Sequence, residues 1–400
     1  MSRASPLALA LVVLVALGLY LYTTSVQLTQ VNIDPKRSDQ SAYMSYARKL
    51  KESGYTYVGE RNRMPLFPIL SSVVYEEGMS DEVFFLRGKW FNVGLSVLLL
   101  GALFAAYRRQ LSLHGAANLL AITAFTLFAF KAPCFQGELL YYTLSFLGFW
   151  LLSRLLARPR IGLGLVAGAV LALAQYTKAS ALPSLGLFLG VSLPSVVWEQ
   201  RARGAWPAER LRGAMRSPLL TARGACLCVF LALLSPYLIH SKQQYGRYFY
   251  NVNTTFYMWY DSWEDVKQGT RAHGDRKGWP TMPDEEIPTP ARYLQTHTVG
   301  DIARREAHGI WVVLRDRVNS YGYFKYAVGA WVLGLALAIR RRDVVRRYLT
   351  RYRWVALFWT VVLAGYFLMY AWWVPISPAP ASCWRCSCPT CGPCPSSSIA

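Results

Sequence analysis

This sequence has little charge for its length. Only 16% of its 400 residues are charged and 54% are hydrophobic, whereas soluble globular proteins carry about 25% charged residues. It has only eight cysteines, and its glycines and prolines show no period. These features exclude a small disulfide-stapled secreted fold, a collagen-like chain and a disordered chain. The composition therefore indicates a membrane protein.

Acidic residues are scarce as well. The chain has 22 Asp and Glu against 43 Lys and Arg, and its formal net charge is +21. A basic protein can bind nucleic acid when its charge gathers on one soluble face. Here the basic residues gather in short loops between apolar runs, so we expect no nucleic-acid partner.

Long apolar runs fill most of the chain. A helix needs about 20 residues to cross roughly 30 Å of hydrocarbon. Candidate spans lie near residues 7–23, 90–107, 115–132, 139–156, 161–177, 181–198, 224–240, 326–339 and 354–374. The sequence thus predicts an all-α, polytopic membrane domain over residues 1–375 with about nine transmembrane helices, and a Pro-, Ser- and Cys-rich tail at 376–400. The first span is interpreted as an uncleaved signal anchor, with removal as a signal peptide as the alternative.

Basic residues are distributed unevenly between the loops. The loops on one side hold 19 basic residues and only three acidic ones, Glu199, Glu209 and Asp343. The positive-inside rule places this side and the amino terminus in the cytoplasm. Two long loops, about 24–89 and 241–325, then lie outside. We expect a multi-pass protein of a cell inner membrane or plasma membrane, or of the endoplasmic reticulum in a eukaryote, whose arginine clusters set topology and attract anionic lipid.

The first outer loop contains an amphipathic helix. Ser38 suits its N-cap, Asp39 its first turn and Gly54 its end, and the helix is expected to lie along the membrane interface. Asp39 shares a face with Tyr43, although it could also do no more than stabilise the helix start. A proline-stiffened stretch from Arg63 to Pro68 follows. A carboxylate beside an arginine is suited to an anionic lipid headgroup.

Two more charged residues lie at the outer ends of apolar spans. Glu138 opens the fourth span, and Lys178 lies between the fifth and the sixth. Charged groups beside hydrocarbon are usually paired or functional, but they can also reach the interface by snorkelling. Both residues fall on the same predicted membrane face as Asp39 and Arg63.

Together these residues resemble the motifs of the GT-C superfamily of integral-membrane glycosyltransferases, especially the branch of protein O-mannosyltransferases and lipid A aminoarabinose transferases. Four features match in chain order and cover roughly residues 1–250: Asp39 with Tyr43, Arg63 to Pro68, Glu138, and Thr177 to Ser180 with Pro183. Two positions depart from the family pattern. Gln40 stands where a second acidic residue is often found, and Met64 interrupts a basic-Pro-Pro element. The soluble carboxy-terminal domain of many members is not expected here.

The resemblance implies transfer of a sugar from a polyprenyl-phosphate donor to a lipid, glycan or protein acceptor on the outer face. It assigns the base to Asp39, and the stabilisation of the leaving phosphate to Arg63 and Lys178. Glu138 would orient the acceptor or bind a divalent ion, and Tyr43 would contact substrate. A metal is optional, because basic side chains can neutralise one phosphate.

Two other functions stay open. A polysaccharide polymerase or ligase would also use arginines of the outer loops, but it would not need the Asp39 base. A lipid-linked-sugar transporter or scaffold would not be an enzyme. Transporters usually show internal repeats, and the sequence shows no such symmetry.

The second outer loop and the tail add weaker signals. Aromatic residues crowd the loop near Tyr245, Tyr250 and Trp259, which suits an interfacial belt or stacking against sugar rings. An acidic run that starts at Asp261 is expected to be a solvated surface, and Asn253 opens a glycosylation sequon. The tail contains Cys383, Cys386, Cys388, Cys391 and Cys394. Their spacing suits zinc only in a reducing compartment, so disulfides or free thiols are expected outside the cytoplasm.

Overall fold

The computed structural model describes residues 6–36, 39–57, 63–202, 218–275, 278–317 and 322–376. Helices dominate these ranges, and no strand occurs within them. The prediction of an all-α chain is therefore confirmed for this part of the protein. Ser38, the arginines between 203 and 217, and the tail cysteines lie outside the described residues.

The α-helices are numbered in chain order. They are α1 (Pro6–Val26), α2 (Gln40–Glu52), α3 (Leu66–Ser71), α4 (Asp81–Arg108), α5 (Leu113–Thr123), α6 (Ala129–Lys131), α7 (Glu138–Ala157), α8 (Ile161–Thr177), α9 (Leu182–Ala202), α10 (Pro218–Tyr245), α11 (Val252–Thr255), α12 (Trp263–Gln268), α13 (Pro290–Thr296), α14 (Val299–Val312), α15 (Gly322–Arg340) and α16 (Arg342–Trp373). Wider π-helical turns follow α1, α5 and α14, at Gln27–Val31, Ala124–Phe128 and Val313–Arg317.

Six helical segments of the described ranges are long and apolar enough to cross a membrane. They are Leu11–Val31, Asp81–Arg108, Leu113–Lys131, Glu138–Ala157, Leu220–Tyr245 and Arg342–Ile376. Helix α8 and the apolar part of α9, Leu182–Trp198, are shorter, and the predicted span at 326–339 lies within α15. These lengths are consistent with a multi-pass membrane protein, and the count of nine stays a prediction.

Helix α4 begins earlier than the apolar run suggested. The Ser80 side chain accepts a hydrogen bond from the backbone N–H of Val83, and Asp81 and Glu82 lie in the first turn. Both features favour a helix start, because the first turn has unpaired N–H groups and a partial positive charge. Lys89, which precedes the span predicted from residue 90, therefore lies inside a helix.

The chain divides into two compact units. Unit 1 is Met1–Leu185 with Leu211–Leu234, and unit 2 is Gly186–Arg210 with Ser235–Ala400. Two boundaries between the units fall inside α9 and α10, and the third, between Arg210 and Leu211, lies outside the described residues.

Glycines bring the backbones of α8 and α10 together in unit 1. A Cβ atom at Gly164 would lie 2.1 Å from the carbonyl oxygen of Ala222, and one at Gly168 would lie 2.3 Å from that of Cys226. Small residues four positions apart let two helices approach closely inside a membrane, where dispersion contacts replace the hydrophobic effect as the driving force. Only glycine fits at these two positions.

Unit 2 builds a core from aromatic residues of the second predicted outer loop. Tyr250 and Phe256 are fully buried, and the ring of Tyr250 stacks on that of Tyr245 with centroids 4.1 Å apart. The prediction of an interfacial belt or a sugar platform is wrong for Tyr245 and Tyr250, because their rings are buried in this core. Elsewhere in the unit, Gly309 of α14 approaches the backbone of Ala371 in α16.

Gly164→Val should destabilise unit 1, because its side chain would overlap the backbone of α10. Overpacking of this kind typically costs about 1–3 kcal/mol. The matched control is Gly162→Val on the same helix, where an added Cβ has nothing within 4 Å. We expect a lower melting temperature in detergent for Gly164→Val alone. Equal melting temperatures for the two variants would contradict the close approach of the helices.

Candidate functional site

A buried amide pair fixes the start of α2. The Oε1 atom of Gln40 accepts hydrogen bonds from Asn32 Nδ2 and from the backbone N–H of Phe135, both at 2.8 Å. Gln40 Nε2 donates to Asn32 Oδ1 at 3.0 Å, and Asn32 Nδ2 also donates to the carbonyl oxygen of Pro133 at 2.8 Å. Gln40 thus has a structural role at the position where the GT-C family often has a second acidic residue.

Two polar residues of α4 extend this network. The Nζ atom of Lys89 donates to the carbonyl oxygens of Leu28 and Asn32, both at 2.8 Å. Asn92 Nδ2 donates to the carbonyl oxygens of Ala132 at 3.1 Å and Cys134 at 2.7 Å. Both side chains are buried, and buried carbonyls need such donors. Neither residue was predicted, although two polar residues one turn apart at the start of an apolar run are a visible signal.

Asp39 pairs with the predicted arginine. It occupies the N-cap position of α2, but its side chain makes no capping hydrogen bond. Instead, Arg63 Nη2 donates to Asp39 Oδ1 at 2.7 Å. The Arg63 side chain is 16% exposed and that of Asp39 is 65% exposed. The carboxylate is therefore held at one oxygen and accessible from solvent.

Tyr43 lies one turn further along α2 and contacts the same arginine. Its ring centroid is 5.7 Å from Arg63 Cζ, and the ring of Phe67 meets it edge to face at 5.6 Å. Burial raises the pKa of the Tyr43 hydroxyl to about 12; Arg63 acts to lower this pKa, whereas Asp39 and Glu138 raise it. The charges of three predicted site residues thus act on one phenol.

Glu138 is the first residue of α7 and pairs with Lys131. The distance from Lys131 Nζ to Glu138 Oε2 is 2.5 Å, and both side chains are largely buried. A Cβ atom at the preceding Gly137 would lie 2.8 Å from Cβ of Phe67 and 3.3 Å from Cγ2 of Thr177. Glycine therefore lets the start of α7 pack against the first predicted outer loop and the end of α8. Lys131 was not predicted as a site residue. The sequence feature that could have identified it is the position of a lysine at the end of an apolar run.

Lys178 directly follows α8 and lies close to the first turns of α7. Its side chain is exposed, and Nζ lies 5.8 Å from the ring centroid of Tyr141, one turn after Glu138 in α7. The turn after Lys178 is held by the buried Gln175, whose Oε1 accepts from the backbone N–H groups of Ala181 and Leu182 at 3.0 Å. Arg63 thus contacts both Asp39 and Tyr43, the charge of Glu138 acts on Tyr43, and Lys178 lies beside the helix that Glu138 begins.

A second polar cluster lies in unit 2. The buried Arg305 donates to Asp261 Oδ1 at 3.0 Å, to the Tyr293 hydroxyl at 2.9 Å and to the carbonyl oxygen of Trp372 at 3.3 Å. Asp261 Oδ2 lies 3.0 Å from His297 Nε2. The Asp261 side chain is 56% exposed, as predicted for a solvated surface, and it also neutralises the buried Arg305. This cluster organises the segment between α11 and α14.

The described residues contain no group of three or more His, Cys, Asp or Glu side chains that could hold a metal ion. At the candidate site, each of the two predicted carboxylates, Asp39 and Glu138, contacts a cationic side chain. A divalent ion there would have to compete with Arg63 and Lys131.

Comparisons with protein-family models, curated proteins and solved structures found no match to this chain. The likeness to GT-C glycosyltransferases therefore rests on the sequence motifs alone.

Replacing Tyr43 by Phe should make the free energy of unfolding fall less steeply as the pH rises above 10. Tyr43 has a pKa of about 12 in the folded chain against an ordinary value of 10.0. The Tyr43 hydroxyl contributes fully to the free energy of unfolding below pH 10. This contribution declines as the pH rises towards 12, because the tyrosine loses its proton at a lower pH in the unfolded chain than in the folded one. Between pH 10 and 12, this effect lowers the free energy of unfolding by up to about 1.4 kcal/mol per pH unit.

The measurement is the melting temperature of parent and variant between pH 8 and 11. Tyr248→Phe, at an exposed tyrosine of unit 2, controls for the loss of a hydroxyl group. Parallel curves for the parent and Tyr43→Phe would contradict the burial of this phenol.

Proposed function

We propose that the protein transfers a sugar from a polyprenyl-phosphate carrier to an acceptor hydroxyl at one face of a membrane. The observation that carries this proposal is the contact of Arg63 with both Asp39 and Tyr43. The charge of Glu138 acts on Tyr43, and Lys178 lies beside the ring of Tyr141, one turn after Glu138. The order of the five predicted residues along the chain is that of the GT-C motifs, and their chemistry suits one reaction.

Asp39 is the proposed general base. One of its oxygens binds Arg63, and its exposure leaves the carboxylate within reach of an acceptor hydroxyl. In the proposed step, the acceptor oxygen attacks the anomeric carbon while its proton passes to the Asp39 carboxylate. The bond between the anomeric carbon and the phosphate oxygen breaks, and the polyprenyl phosphate leaves with the electron pair.

Cationic side chains are proposed to stabilise the leaving phosphate. Arg63 and Lys178 are the predicted cations, and the structure adds Lys131 beside Glu138. These three cations and the carboxylates of Asp39 and Glu138 leave one positive charge. That charge complements the single negative charge of a phosphodiester donor, and a guanidinium can bind two phosphate oxygens at once.

Asp39→Asn should abolish sugar transfer while leaving donor binding intact. A general base contributes about 10²- to 10⁴-fold to the rate, so we expect a loss in this range. The assay supplies the protein in lipid nanodiscs with a panel of polyprenyl-phosphate sugars and follows transfer and donor hydrolysis. The matched control is Glu76→Gln, which removes an exposed carboxylate paired with Arg87 at 2.7 Å in the same unit.

Three outcomes would redirect the proposal. Full activity in a folded Asp39→Asn variant would remove Asp39 as base, and polymer formation under those conditions would favour a polymerase or ligase. If neither parent nor variant acts on any donor yet both bind lipid-linked sugar, a transporter or scaffold becomes the better explanation.

Arg63→Gln should weaken donor binding. A hydrogen bond to a charged group contributes about 1.5–3 kcal/mol, which corresponds to a rise in Kd of roughly 10- to 150-fold. Kd is measured with a radiolabelled polyprenyl-phosphate sugar and protein captured in detergent. Arg87→Gln is the control, since Arg87 also forms an exposed ion pair at 2.7 Å. Equal Kd values for the two variants would argue against Arg63 as a phosphate ligand.

A further inference from the structure

Helix α16 consists of two arms joined at Tyr352. That residue has φ −120° and ψ 27°, which is outside the helical region. The arm after the kink holds the apolar run predicted as a span at 354–374. The arm before it, from Arg342 to Arg351, is shorter and much more basic.

This first arm is amphipathic. At 100° per residue, its apolar side chains Val344, Val345, Tyr348 and Leu349 fall within one arc. Its arginines fill the rest of the circumference, with Arg342 next to Leu349. Val344, Tyr348 and Leu349 are exposed. Such a helix, basic on one side and apolar on the other, is typical of segments that lie in the interface of a membrane.

The arm lines a groove together with the end of α15. The groove is shallow and widely open, and its volume is about 620 Å³. Three arginines and four apolar residues contribute to its wall: Arg342, Arg346, Arg353, Ala338, Ile339, Val345 and Leu349. Arg353 is oriented by the ring of Trp198, whose centroid lies 4.7 Å from its Cζ.

We propose that this groove binds the headgroup of an anionic phospholipid at the basic end of the last span. Seven arginines lie between Arg340 and Arg353, and Asp343 is the only acidic residue among them. Guanidinium groups bind phosphate oxygens strongly, and the apolar wall can contact the first part of the acyl chains. The groove lies in unit 2 and its lipid is not the donor substrate, so the inference holds independently of the proposed glycosyl transfer.

The position of each arginine supplies a matched control. Arg342, Arg346 and Arg353 line the groove, whereas Arg341, Arg347 and Arg351 lie on the same stretch of chain outside its wall. Two triple Gln variants therefore lose the same charge. Nonspecific attraction to a charged bilayer depends on net charge alone, so both variants would lose it equally. Lipid binding at a specific site would be lost only when the arginines of that site are removed.

The experiment measures retention of phosphatidylglycerol by native mass spectrometry, on protein purified from bilayers of phosphatidylcholine and phosphatidylglycerol. We expect the groove variant to retain at least tenfold less phosphatidylglycerol than the parent, and the control variant to retain the parental amount. Equal losses would show diffuse attraction and would overturn the proposal, as would parental retention in both variants. If the groove triple variant does not fold, the single variants Arg346→Gln and Arg347→Gln replace the two triple variants. Lower retention of phosphatidylglycerol in Arg346→Gln alone would support the proposal, and equal retention in the two would overturn it.

Discussion

A backbone carbonyl that is buried in a membrane protein must find a donor within the protein, because hydrocarbon supplies none. In unit 1, Lys89 and Asn92 meet this requirement at four carbonyls, at the end of the first apolar helix and in the turn before α7. Asn32 is shared, since its carbonyl binds Lys89 while its side chain binds Gln40. The first residue of α2 is therefore attached to α4 through hydrogen bonds, and Asp39 is carried with it.

The candidate site combines a rigid frame with an open carboxylate. Gly137 and Phe67 pack the start of α7 against the predicted outer loop so closely that a side chain at Gly137 would not fit. Asp39, by contrast, is held by Arg63 at one oxygen and is largely exposed. A general base needs both features, because its position must be fixed while its oxygen stays accessible to the group it deprotonates.

Local patterns predicted the parts of this structure that are local in origin. Apolar runs of helical length located the long apolar helices, and the apolar period located α2. The Ser80 cap, which places Lys89 inside a helix, is visible in the sequence, although the apolar run alone predicts a later start. The roles of Gln40 and Asp261 depend on partners up to 95 residues away, such as Phe135. No local pattern encodes such pairings, so their partners emerged only from the fold.

The apolar part of α16 has both ends defined by the protein. At one end the helix breaks at Tyr352, and at the other the buried Arg305 holds the carbonyl of Trp372. The continuous helix between them is about 30 Å long at 1.5 Å per residue, close to the thickness of an average bilayer core. In a thicker membrane, the bilayer would have to thin locally around this helix, or the helix would have to change its angle at Tyr352. With both ends held by the protein, this helix can respond to a change in bilayer thickness only through tilt, through the kink or through the lipid around it.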